Sequence, residues 1–262
     1  MEKISVAKQK WAKSLHLKKY REKYGYFMGE GNKLFVEILH NKIWHPSMLI
    51  ATPEWYERNE ALTKFITNTE LFTIDQQDVK HISTQTTPQL PVMIFQKPEQ
   101  KLNSEVIEKQ SLIFYLDGVR DPGNLGTIIR TADWFGHDYL FCSMDTVDWT
   151  NPKVIQATMG SFSRVNILHI DPASLKGSIG GRRQVLGAAL TGQPVPESSL
   201  DNVIVVIGNE SSGISLTCQQ FVDQSIMIPG ESGRAESLNA AFASAIICYE
   251  NFTQKAQKTN LT

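Results

Sequence analysis

Residues 111–136 read SLIFYLDGVRDPGNLGTIIRTADWFG. An apolar run ends at Leu116, and a loop holding Asp121, Pro122, Gly123 and Asn124 leads into a helical pattern. Proline and glycine punctuate the turn, and Asn124 is the expected N-cap of the helix. On a 3.6-residue wheel Leu125, Ile128, Ile129 and Ala132 share one face, and Arg130 falls on the other side near Thr127 and Trp134. Arg130 therefore points away from any sheet beneath the helix, towards solvent, a ligand or another subunit.

Downstream the pattern recurs. DYLFCS, VNILHI, RQVLGAAL, NVIVVIG and SIMIP read as further strands, with helical patterns at 124–135, 151–160 and 216–223 and a last helix from about 238. Near-continuous apolar strands alternating with helices predict an α/β fold whose mostly parallel sheet is covered on both faces. In open sheets of this kind ligands bind outside the carboxyl ends of the strands.

The first hundred residues are different. Residues 4–20 place Ile4, Ala7, Trp11 and Leu15 at helical spacing, FMGEGNKLFVEILH reads as a glycine-bearing turn before an amphipathic helix, and MLIAT, LFTI and PVMIF are short apolar runs. That predicts a small α/β unit. QKPEQKLNSEVIEKQ, 96–110, is polar and contains proline, so it reads as a linker. Two domains are expected, 1–104 and 105–262.

At 41% hydrophobic and 20% charged residues, composition is that of a soluble globular protein. Cys142, Cys218 and Cys248 lie far apart, so neither disulfides nor a metal site is expected. MEKISVAKQK has no secretory apolar core, and no run approaches the roughly 20 apolar residues of a membrane span, so the expected place is the cytoplasm. The net charge of −1 conceals +4 in residues 1–104 and −5 in the remainder. Residues 1–23 alone carry Lys3, Lys8, Lys10, Lys13, Lys18, Lys19, Arg21 and Lys23 against Glu2 and Glu22. A helix so charged either follows a phosphate backbone or is an ordinary solvated face.

Two more loops follow strands. In VIVVIGNESSGIS, 203–215, Gly208 lets a ligand approach the backbone, and Glu210 stands just past the strand end, able to pair with a cation or accept a hydroxyl. In IMIPGESGRAESLNAAFASAIICYE, 226–250, Ser237 is the expected N-cap of a helix whose Ala240, Ala241, Ala243, Ser244 and Ala245 admit close packing. Dinucleotide, P-loop and nucleophile-elbow fingerprints are missing, which removes the usual support for those chemistries.

In this order the three loops resemble the three motifs of the SpoU (TrmH-type) RNA ribose methyltransferases of the SPOUT superfamily: DGVRDPGNLGTIIRTADWFG, VIGNESSGIS and IP…AESLNAAFASAI. NPKVIQATMGSFSR, 151–164, and LGAALTG, 186–192, resemble further family segments. Residues 1–104, through KKYREKYGYFMGEGNKLFVEIL, resemble the family's substrate-binding domain, whose fold is like that of ribosomal RNA-binding proteins.

The resemblance implies a C-terminal parallel-sheet SPOUT domain with a deep trefoil knot, a homodimer with the active site near the subunit interface, and S-adenosylmethionine as cofactor. It implies Asn124, Arg130, Glu210 and Asn239 as the catalytic constellation, and Leu190, Gly192, Gly208, Ile228 and Leu238 as cofactor contacts. The implied substrate is the 2′-hydroxyl of an RNA ribose, in ribosomal or transfer RNA, with ribosomal RNA favoured by the appended first domain. Lys8, Lys18, Lys19, Arg21 and Arg164 are the expected RNA contacts. No metal and no membrane partner is expected. Two positions depart from the family pattern: Ser211 stands where glycine is common, and the segment from Ile228 to Leu238 is one residue longer. The competing readings are an RNA-binding protein that kept the fold without catalysis, and a methyltransferase acting on a base nitrogen.

Overall fold

The computed structural model describes every residue except 42, 43, 84, 100, 101, 103, 179–182, 232, 233 and 260–262. The chain forms two compact units. The first comprises Met1–Glu99 together with Asp148–Arg164, and the second Gln100–Val147 together with Val165–Thr262.

In the first unit, strands β1 (Glu2–Lys3), β2 (Tyr26–Glu30), β3 (Met48–Ala51), β4 (Glu70–Thr73) and β5 (Val92–Gln96) form a sheet ordered β1-β4-β3-β5-β2. β5 runs antiparallel to β2 and β3, and the remaining pairs are parallel. Side chains alternate across the sheet. Met28, Ile50, Val92 and Ile94 join Ile4, Ala12, Leu15, Ile74, Val79 and Ile82 in one buried cluster. Phe27 and Phe95 point the other way and meet two rings of the 148–164 segment: Phe27 lies 5.2 Å from Trp149 and 5.7 Å from Phe162, and Phe95 5.8 Å from Phe162. Aromatic packing thus carries into the first unit a segment that the sequence reading assigned to 105–262.

Two local expectations for this unit change. FMGE is strand β2 rather than a turn, with Phe27 and Met28 buried on its opposite faces. The periodic pattern over 4–20 is two helices, Val6–Ser14 and Lys18–Tyr24, and Ala7 is exposed. Ser5 caps the first by accepting from the Lys8 amide, and Gly25, at φ +70°, ends the second.

The second unit is a six-stranded parallel sheet of β6 (Leu112–Leu116), β7 (Tyr139–Cys142), β8 (Asn166–His169), β9 (Gln184–Pro194), β10 (Val203–Ile207) and β11 (Gln224–Met227), ordered β11-β9-β10-β6-β7-β8. All six strands expected from the apolar runs are present. Ile113, Tyr115, Phe141, Ile204 and Val206 line one face with Leu175 and Cys218. Helices Pro122–Trp134 and Ala240–Thr259 pack on each other. The three cysteines are buried and free. Successive strands run outward from β6 to β8, and the chain then returns so that β10 lies on the other flank of β6. That reversal puts a crevice at the carboxyl ends of β6 and β10.

Candidate active site

Both loops at this crevice are locked by side chains. After β6, the buried Asp117 accepts from the Ser215 amide at 2.6 Å, and the Gly118 carbonyl accepts from Asn209 Nδ2 at 2.7 Å. Asn209 Oδ1 in turn accepts from the Ser211 amide and hydroxyl, at 2.9 and 2.8 Å. The serine that departs from the family's glycine therefore adds a bond to the turn. Sequence reading missed Asp117 and Asn209 as positioning residues. Their signal was there: a short polar side chain within two residues of each strand end, the type that bonds a neighbouring backbone.

Gly208 has a steric reason. Asn209 and Gly213 exchange backbone bonds of 3.0 and 2.9 Å, folding the loop back so that a Cβ on Gly208 would stand 2.3 Å from the Gly213 carbonyl carbon. Only a residue without a side chain fits there.

Helix Pro122–Trp134 is capped by Asp121, whereas the sequence pointed to Asn124. Asp121 Oδ1 accepts from the Asn124 amide at 2.8 Å, and Pro122 opens the helix, where its missing amide hydrogen costs nothing. The Asn124 side chain is thereby released for other bonds. Its Nδ2 donates to Glu210 Oε1 at 2.5 Å, and its Oδ1 accepts from Asn239 Nδ2 at 2.9 Å. Asn239 is fixed because it, and not Ser237, caps the last helix: its Oδ1 accepts from the Ala241 amide at 2.8 Å, and the helix begins at Ala240. Three residues, separated by up to 115 positions, thus form one hydrogen-bonded row. Glu210 Oε2 is left without a partner among the described residues.

Arg130 is not brought to this row. It is exposed, and among the described residues no hydrogen bond or ion pair engages it. Six residues of helix separate it from Asn124, a rise of about 9 Å and a turn of about 240°. It shares its side of the helix with Trp134, which is 82% exposed.

Four of the expected cofactor residues lie in or just past three neighbouring strands, β9, β10 and β11, and Leu238 precedes the last helix. β11 pairs with β9 at Gly187 and resumes at Gln193, so residues 188–192 of β9 loop out unmatched. Leu190 at the centre of this excursion is 71% exposed. Gly192, at φ +151°, lies so close to β11 that a Cβ would stand 2.4 Å from the Ser225 carbonyl oxygen. Ile228, just past β11, is half-buried, and Leu238, beside Asn239, is exposed. Exposed apolar side chains and backbone cleared of Cβ atoms are features that a flat adenosyl ring can use.

The expected RNA contacts, all in the first unit, divide. Arg21 is a correction: it is 3% exposed, and its guanidinium reaches Asp148 Oδ2 at 2.8 Å, Thr150 Oγ1 at 3.1 Å and the carbonyls of Leu15 and His16 at 3.0 and 2.9 Å. It is a structural arginine with nothing left to offer a phosphate. Arg164 is tied to Glu37 at 2.7 Å, and Lys8 is paired with Glu70 at 2.6 Å and lies over the Phe72 ring. Lys18 and Lys19 are exposed, Lys18 loosely paired with Glu22 at 3.7 Å. Among the described residues there is no cluster of three metal-ligating side chains, and no helix is long and apolar enough to cross a membrane.

Residues 111–249 match the SpoU rRNA Methylase family, and residues 7–92 match the MRM3-like substrate binding domain. The 23S rRNA (guanosine(2553)-2′-O)-methyltransferase RlmP of Bacillus subtilis is 28% identical over 247 residues, which cover 90% of this chain and 92% of that protein. A solved structure from Porphyromonas gingivalis, assigned to the TrmH family of RNA methyltransferases, superposes with a TM-score of 0.81 at 33% identity, covering 96% of this chain and 99% of the other. The AdoMet-bound rRNA methyltransferase from Sinorhizobium meliloti gives 0.82 at 29% identity, covering 97% and 98%.

Proposed function

Because the chain belongs to the SpoU rRNA methylase family, we propose that it transfers a methyl group from S-adenosylmethionine to a ribose 2′-hydroxyl of ribosomal RNA, working in the cytoplasm as a homodimer with a knotted C-terminal segment. The observation that carries this reading is the Glu210–Asn124–Asn239 row at the crevice between β6 and β10.

The cofactor supplies an electrophilic methyl, and the protein must align the 2′-oxygen with it and help the hydroxyl lose its proton. Near-attack placement is worth roughly 7–11 kcal/mol of barrier. With Oε1 committed to Asn124, Glu210 presents Oε2 to a ribose hydroxyl or to a guanidinium. Arg130 binds the target phosphate and stabilises the developing alkoxide. A guanidinium holds its proton across the physiological range and is a poor base, so Arg130 orients the reacting groups and an RNA phosphate assists in taking the proton.

Leu190, Gly192, Gly208, Ile228 and Leu238 hold the cofactor. The excursion at 188–192, with β11 returning past it, is the kind of loop through which a chain end threads, and this supports the knot. On the last helix Phe242, Ile246 and Tyr249 follow i, i+4, i+7 spacing and are all exposed, as is Trp134 on the helix packed beside it. Apolar residues in such a row are normally covered. A second copy seated there meets the side of the first that carries Arg130, so each site takes its arginine from the partner.

The test uses full-length protein, S-adenosylmethionine and unmodified 23S rRNA transcript, the RNA in the Bacillus relative's name. Digestion to nucleosides should yield a 2′-O-methylnucleoside. A methylated base would support the base-nitrogen reading. No methylation, together with no binding of S-adenosylhomocysteine in calorimetry, would support the non-catalytic one. Gly208→Ala should weaken S-adenosylhomocysteine binding by about tenfold or more, because its Cβ forces the 209–213 turn outward, and should lower stability by about 1–3 kcal/mol. Calorimetry and thermal melts read both.

A further inference from the structure

A row of aromatic rings lies near the start of the first unit. Tyr20 and Tyr24, one helical turn apart on helix Lys18–Tyr24, stack with ring centroids 5.9 Å apart and an interplanar angle of 10°. Trp11 closes one end of the row, 6.3 Å from Tyr24 and 5.5 Å from Tyr26. Trp11 and Tyr26 rest on the apolar core, whereas Tyr24 reaches out from it and is 37% exposed. Each tyrosine carries a cation over its ring: Lys19 Nζ lies 4.8 Å from the Tyr20 centroid and Lys23 Nζ 5.3 Å from that of Tyr24. Lys10, Lys13, Lys19 and Lys23 are exposed, and among the described residues none is paired with an acid.

We propose that Tyr20 and Tyr24 form a stacking platform for unpaired bases of the RNA substrate, with Lys19 and Lys23 leaving the rings to meet the flanking phosphates. This rests on the reading of the protein as an RNA methyltransferase and names the form of RNA its first unit grips. Every base has a flat face that an aromatic ring can take, so such a platform favours single strands over sequence. Splayed loops and bulges are where proteins reach RNA bases, since a duplex hides them in a deep, narrow groove. An exposed lysine over a ring is weakly held. It swings away readily when a phosphate arrives, so the ring face and the charge become available together. Lysines alone would bind duplex and single strand through phosphates without discriminating between them.

The test measures binding by the full-length protein to two probes: an unstructured RNA 15-mer with 2-aminopurine at its centre, and a 15-base-pair RNA duplex. The wild type should prefer the single strand and quench 2-aminopurine. Tyr20→Leu with Tyr24→Leu should weaken single-strand binding by about 10- to 100-fold and remove the quenching, with duplex binding within about twofold. Tyr24→Phe keeps the ring and should keep the binding, which guards against a folding artefact. Lys19→Gln with Lys23→Gln should weaken both probes and reduce the slope of log affinity against log salt by about two. No quenching by the wild type, or equal losses on both probes in the leucine variant, overturns the platform. If the leucine variant methylates 23S rRNA with unchanged kcat/KM, the platform falls and the methyltransferase stands. If no methylation occurs but quenching is seen and lost as described, the platform stands alone.

Discussion

Arg130→Ala should lower methyl transfer to RNA by about 10²–10³-fold, the usual cost of removing one group that stabilises developing charge. Its melting temperature and its affinity for S-adenosylhomocysteine should stay at the wild-type values. Arg130 is exposed, and no described side chain depends on it for a hydrogen bond or ion pair, so its loss leaves the fold intact. Arg130→Lys restores the charge without the planar fork that grips a phosphate with two parallel bonds, and should recover little of the rate. The stronger test concerns which subunit supplies the group. In the proposed homodimer, a mixed pair of Arg130→Ala and Glu210→Gln protomers, co-expressed with two affinity tags, would have one site with an intact row and an intact partner arginine. It should therefore regain activity that neither parent shows. If each protomer used its own Arg130, both sites would be broken and the mixed dimer would be as inactive as its parents.

The largest effect on stability is expected at Arg21. Removing its guanidinium leaves the Asp148 carboxylate buried without its cation, and breaking a buried pair costs about 3–5 kcal/mol. Against a total of about 5–15 kcal/mol, Arg21→Met should shift denaturation of the first unit severely. Trp149, buried among Phe27, Trp44 and Phe162, is the natural fluorescent reporter. Replacing both partners, Arg21→Met with Asp148→Leu, should recover most of the loss, because no charge is then stranded. The pH dependence has a definite sign. Burial pushes the Asp148 carboxyl up, but bonds from Thr150 and Arg21 and the Arg21 charge outweigh it, and the result lies below the ordinary 3.8. A depressed carboxyl contributes stability above its unfolded pKa and loses it as pH falls through the folded one. Without Arg21, its bond and its charge no longer lower the Asp148 carboxyl, and only the Thr150 bonds oppose burial. The gap between wild type and Arg21→Met should therefore be widest near neutrality and narrow below about pH 4.

Much of the second unit was legible because its physics is local. Continuous apolar runs marked all six strands, and their order of alternation with helices marked a parallel sheet. Asn124, Glu210 and Asn239 stood next to strand or helix ends, and in the structure they converge. The caps were misplaced by two or three residues: Asp121 and Asn239 hold the helix starts, where Asn124 and Ser237 had been read. Several residues near each start can cap, and only the three-dimensional demand for the Asn124 side chain elsewhere decides among them. Arg21 was illegible for another reason. Flanked by Lys18, Lys19 and Lys23, it looks like one more cation in a basic run, and its partner lies 127 residues away. Strand β2 hid behind Gly29 and Gly31, which read as turn residues. The allegiance of 148–164 depends on rings contributed by Phe27 and Phe95, and no window along the chain contains both sides of that contact.

That segment has a consequence for anyone who would transplant the recognition module. Asp148–Arg164 is encoded in the middle of the catalytic half but folds with the first unit. A graft of residues 1–99 alone would present Phe27 and Phe95 to water, and the donor left behind would carry Trp149 and Phe162 equally bare. Exchange between enzymes of this architecture must move two stretches of gene at once, so specificity here is expected to change by substitution on the surface and not by shuffling whole cassettes.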